Sequence, residues 1–197
     1  GTTINYSITV TDSFGNIITI ASHCYLQRGA SDKITDTVII GTISGTGLYV
    51  LPFDARYNYS WTRNMYLSSE IGNTSDTLTI VKIAWLPTNA GVVTRSNQAM
   101  YMKAVDSSIT TLDPNKTTFT PGEDGATLVW YGGMITDGTL GWQEITLLYP
   151  FPVPTGKNLI MYFIDSTGSA YGNYPWNCES ATNMAMYAAD NVINPTN

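Results

Sequence analysis

Apolar and polar residues alternate with a period of two over most of this chain. Tyr6, Ile8 and Val10 alternate with Ser7, Thr9 and Thr11, the pattern of a strand with one buried face. The turn signal Phe14-Gly15-Asn16 follows, and 17–26 reads as the return strand. Further strands are expected over residues 37–43, 77–85, 98–105, 127–135, 142–148, 159–164 and 183–189. Two of them are apolar on both faces. In 77–85, Leu78 and Ile80 lie on one face, with Val81, Ile83 and Trp85 on the other; 159–164 behaves alike. Such strands belong in the middle of a sheet covered on both sides. No stretch carries a capped 3.6-residue period, so helix is expected only as single turns, for example at 68–71. Many short strands separated by Gly, Pro and Asn turns predict an all-β, antiparallel β-sandwich, most simply jelly-roll-like.

Several segments follow one another in a characteristic order: TVIIG at 37–41, LPF at 51–53, YNYSWTRNMYLSSEIG at 57–72 and AMYMK at 99–103. LVWYGG at 128–133, GWQEITLLYPF at 141–151, GKNLIMYFIDSTGS at 156–169 and MAMYAAD at 184–190 complete the set. The ordered set resembles a β-sandwich module of secreted and cell-surface, adhesin-like proteins of Bacteroidetes and similar bacteria. That resemblance implies a non-catalytic module in an extracellular setting, and it carries no catalytic residues onto this chain. It divides the protein into an N-terminal strand or hairpin arm, 1–34, and a sandwich, 35–197.

The motifs also have a local physical reading. In SSEIG, Ser68 or Ser69 is placed to cap a short turn, Glu70 to accept from a backbone N–H, and Gly72 to end it. Tyr66, Leu67 and Ile71 would then face the core. The prolines of YPFPVPTG permit an edge strand or a loop but no central strand.

Composition narrows the function classes. Only 12% of the 197 residues are charged while 43% are apolar, which fits a secreted β protein and excludes a disordered chain. The net charge is -6 and the basic residues stand singly, so neither a phosphate-tracking surface nor a polybasic lipid contact is expected. No apolar run is long enough for a helix to span a bilayer.

Candidate chemistry is sparse. The single histidine, His23, excludes multi-histidine zinc sites, and no CxxC pair, Walker loop or dinucleotide fingerprint is present. No metal, cofactor or enzyme activity is therefore expected. Asp113, Asn115, Glu123 and Asp124 offer hard oxygen ligands, but as solvated loop acids rather than a calcium site. Cys24 and Cys178 are a candidate disulfide. Linking such distant points removes roughly 5 kcal/mol of unfolded-state entropy.

Two readings of function remain. In the first, the extra strand at the N-terminus pairs with a neighbouring copy, Tyr6, Ile8 and Val10 filling its pockets, and head-to-tail addition builds a surface filament. In the second, Tyr171, Tyr174 and Trp176 form an exposed aromatic platform that binds glycans. The expected partners are accordingly further copies of the chain, or glycans, with no nucleic acid and no membrane span.

Overall fold

The computed structural model describes residues 22–28, 37–41, 46–48, 51–116, 119–178 and 181–192. The described strands are β1 (Ser22–Arg28), β2 (Thr37–Ile40), β3 (Thr46–Leu48), β4 (Tyr59–Tyr66), β5 (Leu78–Trp85) and β6 (Thr94–Val105). They continue with β7 (Thr127–Ile135), β8 (Gln143–Val153), β9 (Asn158–Asp165), β10 (Trp176–Cys178) and β11 (Ala185–Asp190). No helix occurs among the described residues. The strands form a four-stranded sheet, β2-β1-β5-β8, a five-stranded sheet, β11-β4-β9-β6-β7, and a small pair, β10-β3. All pairings are antiparallel. The all-β sandwich expected from the two-residue period is the fold observed.

The main core lies between the two large sheets. Ile80, Ile83, Trp85 and Ile145 come from one sheet, and Met100, Met102, Trp130 and Phe163 from the other. Phe163 is its hub, with ring centroids of Phe53, Trp85 and Trp130 at 5.8, 5.6 and 6.3 Å.

β5 corrects one reading of the pattern. Its large apolar residues do not divide as the pattern suggests: Leu78, Ile80, Ile83 and Trp85 all enter the same core, and Val81 lies half-buried outside it. The register with β8 shifts between Ile80, opposite Phe151, and Lys82, opposite Thr146. The bulge resets the alternation, so a change of phase in the sequence mimics a second apolar face. β9 does serve two faces. Leu159, Met161 and Phe163 enter the main core, while Ile160 and Tyr162 join a second cluster with Trp61, Met65, Leu112 and Phe119. The described parts of the connection after β6, 106–116 and 119–126, supply Leu112 and Phe119 to the outer sheet face. There the Phe119 ring stacks on Trp61 at 4.5 Å and meets Tyr162 edge-on at 5.5 Å.

The turn at SSEIG is held by Glu70 and closed by Gly72, and the serine that enters it takes its partner through the backbone, Ser68 N donating to Asn158 Oδ1 at 2.7 Å. Glu70 Oε2 accepts from Leu67 N at 2.6 Å, Ile71 N donates to Leu67 O at 3.0 Å, and Gly72 takes φ +65°. Tyr66 and Ile71 are buried and Leu67 is half-buried. Asn73 then ties this turn to the proline-rich segment, its Nδ2 donating to Pro154 O and Lys157 O at 3.0 Å each. The expected strand 142–148 runs on through the prolines to Val153, because β8 ends its sheet and an edge tolerates missing donors. Ser22–Arg28 falls within the arm expected at 1–34, yet it lies between β2 and β5 as a strand of the sandwich.

Candidate functional site

The expected aromatic platform does not form. Tyr174 is 1% exposed and Trp176 0%, while Tyr171 alone, at 52%, faces solvent. The physical reason is β10. Its register with β3 pairs Trp176 with Leu48, and Trp176 also bridges Pro87. This places the indole against Phe53 at 5.3 Å and Tyr174 at 5.0 Å, both edge-on. A three-residue strand hidden behind a Gly-Pro-rich stretch turned a loop reading into core. Tyr6, Ile8 and Val10 lie outside the described residues.

Around Tyr171 three loops are fastened together at one end of the sandwich. From the loop after β5, Gly91 O accepts from Thr136 Oγ1 at 2.6 Å, and Val93 N donates to the same hydroxyl at 2.7 Å. Thr136 N returns a bond to Val93 O at 3.0 Å, and Thr88 N donates to Pro175 O at 2.9 Å. Asp137 accepts from Thr139 N, Thr139 Oγ1 and Gln143 Nε2, which hold its carboxylate below the ordinary range. Val92, Leu140 and Tyr171 are exposed on these loops. They are single apolar tips rather than a stacking surface.

The more continuous feature lies on the outer face of the five-stranded sheet. Among the described residues β7 is its terminal strand, and Tyr131 and Ile135 stand 58% and 68% exposed on one side of it. Tyr131 lies opposite Ala99 of β6, and Ala99 opposite Ile164 of β9. Beyond them an open cleft of about 340 Å³ is lined by Tyr101, Ile164 and the segment Phe119–Glu123. β8 ends the other large sheet, with Leu148 and Tyr149 exposed in its bulge.

Two buried ionic clusters support this face. Arg95 and Asp165 are 1% and 0% exposed and pair at 2.6 Å. Arg95 also donates to Tyr57 O at 2.9 Å and Ser169 O at 2.5 Å, and its guanidinium lies 5.9 Å from the centre of the Phe53 ring. One side chain thus pins two loops to β9. Asp124, expected as a solvated acid, is instead enclosed. Lys116 and Arg63 pair with it, and the Tyr162 hydroxyl donates to it at 3.3 Å. Asp113 binds its own turn at Asn115 N, 2.9 Å, and Glu123 is exposed, so these acids do not converge on a cation. No group of three or more His, Cys, Asp or Glu side chains with metal-binding geometry occurs among the described residues.

Burial first, and then the Asp124 carboxylate, push the Tyr162 phenol up to about 12. An unfolded tyrosine titrates near pH 10. Between those values the unfolded chain releases a proton that the native state keeps, so the stability Tyr162 contributes is lost as pH rises through that window. Ultraviolet titration should show one phenol ionising last, near pH 12, and Tyr162→Phe should remove that step. Identical curves for both proteins would contradict the assignment.

Compared with family models, curated proteins and solved structures, the chain matches none of them.

Proposed function

We propose that this protein is a non-catalytic structural module of an extracellular surface, a filament subunit that joins its neighbours by β-strand addition. The observation that carries this reading is the terminal strand β7, with Tyr131 and Ile135 exposed along it. An exposed, apolar terminal strand is a ready template for another chain, and proteins that stay monomeric usually blunt such edges. The donor is segment 4–11, whose Tyr6, Ile8 and Val10 alternate with polar residues. Main-chain hydrogen bonds supply affinity and the alternate side chains supply register. Light scattering over a rising concentration series should report masses growing well beyond the 21.5 kDa chain. A constant monomer mass would overturn the reading.

The extracellular setting is supported by the low charge and by the placement of the cysteines. Backbone register sets Cys24 opposite Trp85. Asn177, beside Cys178, donates its N–H to Leu86, the residue after Trp85, at 2.9 Å. Both backbone positions lie near the end of β5, and the disulfide proposed between them would join β1 to β10. Such bonds form in oxidising compartments. Thiol titration of the denatured, unreduced protein should find no reactive cysteine, and after reduction both. Full reactivity before reduction would contradict the bond and remove this support for the compartment.

A further inference from the structure

We infer that the acceptor for segment 4–11 of a second copy is the open edge of β7, with Ile8 seated over Gly133; this rests on the self-association reading above. The large sheets offer four terminal strands among the described residues: β2, β8, β11 and β7. β2 shows four described residues, all buried, and so presents no exposed apolar side chain among them. β8 carries Pro150 and Pro152, and Pro152 lies within the ladder opposite Thr79. Proline has no N–H, so that half of the edge lacks the donors a new strand needs. β11 has six residues and a single large exposed apolar side chain, Tyr187. β7 has nine residues, enough to span segment 4–11, and no proline.

The side chains of β7 fit the donor in kind as well as length. Tyr131, Gly133 and Ile135 lie at alternate positions and are all exposed. Gly133 carries no side chain between the two large residues. The β6 backbone comes so close at this point that a Cβ on residue 133 would stand 2.9 Å from the Arg95 carbonyl oxygen, so the position holds glycine. A large apolar residue on a neighbouring strand covers such an edge glycine. Centring Ile8 on Gly133 sets Tyr6 and Val10 beside Tyr131 and Ile135 in either strand direction, because both segments repeat every two residues. The occupant this assigns is segment 4–11 of a second copy, whose period of two matches that of β7.

The test mixes chains carrying Val10→Cys with chains carrying Tyr131→Cys, Ile135→Cys or Tyr187→Cys, oxidises them, and maps the links by peptide mass spectrometry. Links from Val10→Cys to position 131 or 135, and none to 187, are expected. Polymers that link to 187 alone, or to none of the three, would overturn the assignment of β7 while leaving self-association intact. Absence of polymers would overturn both. A link formed inside one chain, found with Val10→Cys and Tyr131→Cys together in a monomer, would overturn donation to a second copy. Ile135→Lys provides a check free of cross-linking: it lies on the surface, and the variant should remain folded by circular dichroism while losing its polymers. Unchanged polymers in that variant would contradict the inference.

Discussion

Arg95→Met should destabilise the protein by about 3–5 kcal/mol, the usual result of removing one partner from a buried ion pair. In a chain of this size that lowers the melting temperature by roughly 10 °C. The wild-type guanidinium binds three groups: Asp165 at 2.6 Å, Tyr57 O at 2.9 Å and Ser169 O at 2.5 Å. Burial pushes the Asp165 carboxyl up and Arg95 opposes that push, together with Thr167. Without Arg95 only the Thr167 hydrogen bonds oppose burial, and two backbone carbonyls lose their donor. The variant's deficit should shrink at acidic pH, where Asp165 takes up a proton and no longer presents a bare charge. Arg95→Met combined with Asp165→Leu should recover part of the loss, since replacing a whole buried pair is far milder than halving it. Urea denaturation of the three variants measures this. A loss under about 1 kcal/mol for Arg95→Met would show that solvent reaches the pair.

Deleting residues 1–11 should abolish assembly while leaving the sandwich folded. The two effects separate because, among the described residues, the main core draws on segments after residue 37. Phe163, Trp85 and Trp130 keep their neighbours when the donor is gone. The bond network that fastens the loops around Thr136 also lies outside the deleted segment. Circular dichroism and the melting temperature should therefore stay near those of the full chain. The polymer mass should fall to that of a single subunit. Loss of the fold on deletion would mean that segment 4–11 belongs to its own chain's sandwich.

The fold was legible because the period of two is a direct consequence of strand geometry. The limits of that reading are also physical. A bulge changes the phase of the alternation, so β5 presents two apolar faces in sequence and one in space. Strands of three residues carry no period at all, so β3 and β10 left no trace and Trp176 passed for a loop aromatic. Arg95 and Asp165 are separated by 70 positions, and nothing local marks either as buried. Asp124 read as a loop acid because the cover made by the described parts of the connection after β6 is a tertiary fact. β9, by contrast, was read correctly as covered on both faces: a continuous apolar run has only one comfortable place in a sandwich. The glycine-bearing edge of β7 was visible as LVWYGG, but its meaning needed the sheet order.

Negative-stain electron microscopy of the full chain beside the chain lacking residues 1–11 tests the central claim most directly. Filaments are expected from the full chain and single compact particles from the truncated one. Single particles from both, at concentrations high enough to saturate a micromolar contact, would contradict the account.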